Sequence, residues 1–396
     1  MTRILRALST KYFTRVLAEF VPLSHIQILD TPHKLFLRKR PASRRAFFVK
    51  AFRIKYEVRN PFRIKYGGVL YRGVPPLLAA ALWLFFCVFA SQAQNAPQRS
   101  VALTFDDLPM TVIGNDHIAG DLKTTREVNQ KILKQLAEHH ATAIGFVNEI
   151  KLNVQGERDA RAAILEDWLN AGLLLGNHGY QHLEFKDVSL ETYEDELIKG
   201  EPITNALLEK HNLKPRYFRH PYLDTGGTTE KKQGFETFLT AHNYRIAPVT
   251  IQNEDWMFNA SYAKARKDND KAAIERIRQA YLDHTRDQLD YSEKLSRDSF
   301  NREIPQVMLM HDDIITAEQL SAVLSLLEQR GYHFISLDEA MADPVYSTAD
   351  NYTGSDGFSW LDRWQLALGK PLHPAEPEPP KWAQEQYDAI TAPQSK

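Results

Sequence analysis

Val101-Ala102-Leu103-Thr104-Phe105-Asp106-Asp107 is a short apolar run that ends on two adjacent carboxylates. Six further apolar runs follow it: Thr142–Val147, Leu173–Gly176, Arg216–Phe218, Tyr244–Ile251, Gln306–Met310 and His333–Leu337. Between them lie longer stretches with helical spacing. Examples are Ile132-Leu133-x-x-Leu136 and Leu320-x-x-Val323-Leu324-x-x-Leu327, the second closed by Gly331 as a helix C-cap. Strands that alternate with helices are joined by right-handed crossovers into a parallel sheet. Seven such units predict an α/β fold, with a closed or nearly closed barrel as the leading architecture and a doubly wound open sheet as the alternative.

Both architectures gather reactive residues just past the carboxyl ends of the strands, and the sequence has them there. Asp106-Asp107 follows the first run, His178 and His182 the third, and Arg219-His220-Pro221-Tyr222 the fourth. Glu254-Asp255-Trp256 follows the fifth run and His311-Asp312-Asp313 the sixth. His178 and His182, four residues apart, can present two imidazoles to one metal. An isolated Asp-Asp more often caps a helix. At a strand-to-loop junction, however, both carboxylates reach one site, where one can bind a cation while the other stays ionised as a general base. An aspartyl-phosphate phosphatase would want a second Asp two residues after the first, and position 108 is Leu. His311 can protonate a leaving amine, Arg219 can hold the base carboxylate, and Asp255 can orient His311 and raise its pKa. Together these groups make up a hydrolase inventory.

Thr104-Phe105-Asp106-Asp107, His178-x-x-x-His182, Arg219-His220-Pro221-Tyr222, Asp255-Trp256 and Leu309-Met310-His311 stand in the order and approximate spacing of five motifs of the polysaccharide deacetylases. The chain thus resembles carbohydrate esterase family 4, the NodB-homology domain, over roughly residues 99–343. The resemblance implies a distorted, partly open (β/α)7 barrel with a metal site at the C-terminal ends of its strands. It further implies removal of N-acetyl groups from amino-sugar polymers with a divalent metal. Zinc is expected first, with cobalt, nickel or manganese as alternatives.

Carried over by residue, Asp106 resembles the general base, and Asp107, His178 and His182 the metal ligands. Arg219 would steady the base, the Tyr222 backbone N–H would stabilise the oxyanion, Asp255 would tune His311, and His311 would be the acid. Leu309 would line the acetyl pocket with Trp256 and Pro221 beside it. Three departures stand out. Gly179 occupies a position that usually carries Ser or Thr, and Gln252 one that usually carries Asp. Asp312-Asp313 adds acids beside His311, expected either to raise its pKa or to join the substrate groove.

The 396 residues carry 49 Lys+Arg and 50 Asp+Glu, a net charge of −1. Their 43% apolar and 25% charged content excludes wholesale disorder, and the charge balance argues against nucleic-acid binding. That balance conceals two parts. Residues 1–93 hold 17 Lys+Arg against Glu19, Asp30 and Glu57, a net +14 that leaves −15 for residues 94–396. With Cys87 the single cysteine, no intrachain disulfide or cysteine metal cluster can form, so a metal must use His, Asp or Glu.

Residues 74–93, an uncharged run after Arg72 that exits through Ser91-Gln92-Ala93, read as a signal peptide or membrane anchor. Export is therefore expected, with any membrane association only through that anchor. The basic extension at 1–73 repeats Phe-Arg-Ile-Lys-Tyr at 52–56 and 62–66 and is expected to reflect an overlong start, with a cytoplasmic basic segment near the membrane or nucleic acid as the alternative.

The catalytic barrel is placed at 94–345 and a C-terminal extension at 346–396. Within them, 257–305 is expected to be a solvated helical pair, with a lid or partner surface as the alternative, and 371–380 an extended tail. Trp360 and Trp364 are expected to pack the extension onto the barrel. The leading function is removal of N-acetyl groups from an acetylated glycan. The alternatives are an O-acetyl esterase and a catalytically silent glycan-binding barrel.

Overall fold

A computed structural model describes residues 99–114, 118–372 and 376–392, and the backbone of 64–66 and 69–71. The stretch expected to be a signal or anchor, 74–93, lies outside the described residues. The chain divides into two compact units, Met1–Ala79 and Ala80–Lys396. In the first, Ile64–Tyr66 and Val69–Tyr71 pair antiparallel, so the second copy of the repeated pentapeptide supplies a strand. The second unit contains the segment expected to be a C-terminal extension.

That second unit is a curled sheet of seven parallel strands. They are β1 (Arg99–Leu108), β2 (Ala143–Val147), β3 (Leu174–Asn177), β4 (Tyr217–Phe218), β5 (Arg245–Ile246), β6 (Gln306–His311) and β7 (Tyr332–Phe334). The strand order is β5-β4-β3-β2-β1-β6, with β7 pairing the start of β1. β1 is central. Its Val101, Ala102, Leu103, Phe105 and Leu108 are all fully buried, as expected of a parallel strand covered on both faces.

The sheet curls until the chain after β5 meets β6. Ile251 bridges Met308, and the Leu309 N–H donates to the Ile251 carbonyl at 2.9 Å. This makes a distorted, partly open (β/α)7 barrel. The run Tyr244–Ile251 is thus two short pairings rather than one strand. Pro248, between them, has no N–H to give to a ladder.

Helices cover the outside: α1 (Leu122–Glu138), α2 (Arg158–Asn170), α3 (Leu190–Lys199), α4 (Pro202–Lys210), α5 (Thr229–Ala241), α6 (Asp255–Lys267), α7 (Lys271–Phe300), α8 (Ile314–Gln329) and α9 (Leu337–Met341). Under the sheet, Trp168 of α2 meets the Phe105 ring edge-on at 5.5 Å, and its indole N–H donates to Asn129 Oδ1 at 2.7 Å.

The pair α6–α7 is not a solvated hairpin. Met257, Phe258, Tyr262, Ile277, Tyr281 and Leu289 are buried in the main core. The abundant charges occupy the opposite face of each helix, where composition alone conceals the apolar stripe. Beyond β7, α10 (Trp360–Ala367) buries Trp360 and Trp364 against Val249, Leu309 and Tyr291, as expected. α11 (Lys381–Thr391) docks on α6, with Ala383 fully buried. No helix among the described residues is long and apolar enough to cross a membrane.

Candidate active site

The sheet register assembles the site. Asp106 at the end of β1 is the register partner of His311 at the end of β6, and Asn177 ends β3 beside Val147 and Phe218. Parallel strands expose their carboxyl ends on one face, so residues more than 200 positions apart converge there.

Asp106 and Asp107 are both buried, and Asp107 adopts φ +72°, outside strand geometry, which turns its carboxylate into the mouth beside its neighbour. Arg219, fully buried, donates from Nη1 to both Asp106 oxygens at 3.2 and 3.1 Å. The rest of its guanidinium is fixed: Nε donates to the Ala247 carbonyl, Nη2 to Thr104 Oγ1, and the plane lies 4.7 Å over the Phe146 ring. Burial raises the Asp106 pKa, and the charges of Arg219 and His311 partly offset that rise. Burial also pushes Asp107 upward, but Lys151, His182 and His178 outweigh it and hold Asp107 below the usual carboxylate range.

Asp107, His178 and His182 form a buried cluster whose candidate ligand atoms lie within 4.8 Å of one another. Two observations fit a metal there. Among the described residues, buried Asp107 Oδ1 accepts no hydrogen bond; it faces His182 Nε2 at 3.4 Å and His178 Nε2 at 3.8 Å, with the Lys151 ammonium also at 3.4 Å. His178 Nδ1 is 2.8 Å from the Arg219 carbonyl, which fixes Nδ1 as the protonated nitrogen and leaves the Nε2 lone pair aimed at Asp107. Burial and the neighbouring His182 hold the His178 pKa well below its ordinary value, keeping it neutral as a ligand must be. Two imidazoles and a carboxylate suit the three-ligand centres of catalytic zinc.

Gly179, the residue without a hydroxyl, takes φ +73°. Its loop is braced by other groups. Asn148 Nδ2 donates to the His178 carbonyl at 2.7 Å, Asn177 Oδ1 accepts the Gly179 N–H, and Glu196 accepts the Gln181 N–H.

His311 Nδ1 lies 2.7 Å from Asp255 Oδ1, and its backbone N–H donates to Asp255 Oδ2 at 2.6 Å. Thr316 Oγ1 donates to Oδ2 as well. Burial pulls the His311 pKa down, but the charge and hydrogen bond of Asp255, with Asp107 and Asp106 behind them, raise it to about 10. Asp312 and Asp313 do not join a groove. Both are fully buried and turned away from the mouth, Asp313 capping α8 through the Thr316 N–H and Asp312 accepting from Asn129. The chain reverses into α8 directly after β6, which turns these two side chains inward.

The mouth opens into a cavity of about 490 Å³. Asp106, Asp107, His178, His182, Tyr222, Trp256, Leu309 and His311 all line it. Arg219 and Asp255 sit behind their partners. Pro221 is buried beside Gly179 and outside the lining. Tyr222, at φ +55° in a tight turn, packs on the His182 ring at 4.5 Å.

Several residues escaped the sequence reading. Lys151 is buried with its ammonium 3.4 Å from Asp107 Oδ1 and 3.2 Å from the Asp107 carbonyl; its one sequence signal was a place four residues past β2. Asn148 and Glu196 had none. The C-terminal segment reaches the cavity through Ser355–Phe358 and Glu376–Pro379, and Gln252 ties it there by donating to the Gly357 carbonyl at 3.0 Å.

A parallel, partly open barrel with a buried Asp-His-His cluster, a paired carboxylate and a carboxylate-bound histidine at its mouth is similar, over part of the chain, to the polysaccharide deacetylase family. Residues 93–238 match that family's sequence profile, described as polysaccharide deacetylase. A peptidoglycan-N-acetylglucosamine deacetylase of Bacillus cereus is 30% identical over 159 residues, which are 40% of this chain and 47% of that protein. The chain therefore spans about half the length of the curated relative it matches. Among solved structures, a CE4 family pseudoenzyme from Bacillus anthracis is 19% identical (TM-score 0.38; 62% of this chain and 66% of that one). A polysaccharide deacetylase from Bacillus cereus is 18% identical (TM-score 0.40; 60% and 91%).

Proposed function

We propose that this protein is an exported, metal-dependent hydrolase that removes N-acetyl groups from an amino-sugar glycan. The observation that carries the reading is the pairing of a buried Asp-His-His cluster with two differently prepared proton carriers, Asp106 and His311, in register across adjacent strands. Asp107, His178 and His182 would hold the metal, which when bound polarises the acetamide carbonyl and makes water more acidic.

Asp106, held by Arg219 Nη1 on both its oxygens, takes a proton from the attacking water. Oxygen adds to the acetamide carbon, and the Tyr222 backbone N–H faces the oxygen that gains charge. His311, protonated at neutral pH because Asp255 holds its Nδ1–H, donates from Nε2 to the amide nitrogen. The C–N bond breaks, acetate leaves, and the sugar keeps a free amine. Leu309 and Trp256 supply apolar surface around the methyl group. Export is supported by residues 74–93, which carry a basic flank, an apolar run and a small-residue exit. The polymer would be peptidoglycan-like or chitin-like.

Acetate release by the purified full chain, measured on chitooligosaccharides, peptidoglycan and acetylated xylan with and without a chelator, tests this. Release from the N-acetylated substrates, lost with chelator and restored by zinc, is expected. Release from xylan alone would make it an O-acetyl esterase. Absence of acetate from every substrate, with divalent metal present, would refute a hydrolase.

A further inference from the structure

The C-terminal segment builds much of the wall of the cavity: nine of the 25 residues lining it come from beyond residue 350. On one side, Ser355–Phe358 fills the space between two barrel loops. Gln252 donates to the Gly357 carbonyl, and Gly357 lies so close to the Tyr222 carbonyl that a Cβ would come within 2.9 Å of it. On the other side, Glu376–Pro379 crosses in front of α7, where Gln288 Nε2 donates to the Pro377 carbonyl at 3.0 Å. The chain then enters α11, whose Tyr387 meets the Trp256 ring edge-on at 4.7 Å and whose Trp382 meets Phe258 at 6.2 Å. The far end of α11 brings Thr391 against Gly114, where a Cβ would come within 3.1 Å of its Cγ2. The strap thus runs from the end of β5 to the loop after β1 and shuts the mouth on that side.

A polymer bound mid-chain needs a groove open at both ends, so that sugars on either side of the reacting unit have somewhere to go. Here the C-terminal segment stands on two sides of the cavity, which stays open to solvent in front, and its volume of about 490 Å³ is that of a small-molecule pocket. We propose that the strap makes the site specific for short amino-sugar oligosaccharides or exposed chain ends rather than the interior of a long polymer; this rests on the hydrolase reading above. The wall also carries a charge preference. Along the strap side of the wall, Asp356 and Glu378 stand with Glu254, while burial and Asp362 push the Glu376 pKa up to about 8; no Lys or Arg lines the cavity among the described residues, so away from His311 a substrate bearing carboxylates meets like charge.

The test compares the full chain with two strap variants, one ending after residue 372 and one carrying Ala383→Arg at the fully buried contact of α11. Acetate release per acetyl group is measured on chitotetraose, soluble long-chain glycol chitin and a muramic-acid-containing tetrasaccharide, with circular dichroism of each variant. For the full chain, kcat/KM on chitotetraose is expected to exceed that on either other substrate by about tenfold or more. In a folded strap variant the long-chain substrate recovers most of that gap, while chitotetraose loses affinity. Equal rates on long and short chains, or a folded variant with an unchanged ratio, overturn the strap inference but leave the hydrolase reading standing. No acetate from any substrate overturns both.

Discussion

Asp255→Asn removes the charge behind His311 at nearly constant side-chain size, at the cost of turning one amide N–H pair toward donors that the carboxylate accepts from. Asp255 is buried, accepts from the His311 backbone and from Thr316, and holds His311 Nδ1 at 2.7 Å. The His311 pKa stands at about 10 against an ordinary 6.5. At about 1.4 kcal/mol per pH unit, that gap amounts to roughly 5 kcal/mol, shared among Asp255, Asp107 and Asp106 after the opposing cost of burial. Removing one adjacent opposite charge moves a pKa by about 1–3 pH units, so the variant's His311 should titrate that much lower. The sign for stability follows. A folded-state pKa above the unfolded value contributes stability that is complete below about pH 6.5 and is lost as pH rises through about 10. The wild type should therefore lose stability across that interval on alkaline titration, and Asp255→Asn should flatten the loss. Histidine ring resonances of the full chain in chelator, followed by NMR from pH 5 to 11, read the shift directly, and thermal unfolding across the same range reads the linkage. The alkaline limb of kcat/KM in the metal-loaded protein should move in the same direction. A His311 titration unchanged by the substitution would refute the assignment of Asp255 as the group that raises it.

Asp106→Asn should lower acetate release by about 10²–10⁴-fold and abolish the acid limb of the pH profile, which in the wild type rises as Asp106 loses its proton above 3.8. Activity retained at wild-type level would remove Asp106 as the base. Asn148→Ala, which frees the loop carrying His178, should weaken zinc binding by about 10–100-fold in calorimetry, with secondary structure preserved. Trp168→Ala should cost about 3–5 kcal/mol in urea denaturation, because it empties the fully buried space under Phe105 and leaves Asn129 Oδ1 without its indole donor.

The alternation of apolar runs and amphipathic stretches carried the parallel sheet, and the residues at the run ends carried the candidate site. Both are local properties. A buried strand must be apolar, and a barrel can expose polar chemistry only where its strands stop. Asp106, Asp107, His178, His182 and His311 were legible for that reason, since each lies within six residues of the last apolar position of its strand.

What tertiary structure decided depends on partners distant in sequence. Lys151 reads as an ordinary surface cation until the turn after β2 folds its ammonium onto Asp107. Asp312 and Asp313 are adjacent to His311 in the chain yet do not line the cavity, because the direction of a side chain after a strand is set by the helix that follows. The charges of α6 and α7 concealed a buried stripe, since composition averages over the faces that packing separates. The proline-rich segment after residue 370 has no periodicity of its own. The place of Glu376–Pro379 and α11 beside the cavity follows from Gln288, Trp256 and Phe258, contacts that exist only once the barrel has formed. Chemistry carried by strand ends was thus written locally, while access to that chemistry was settled by docking of a segment far along the chain.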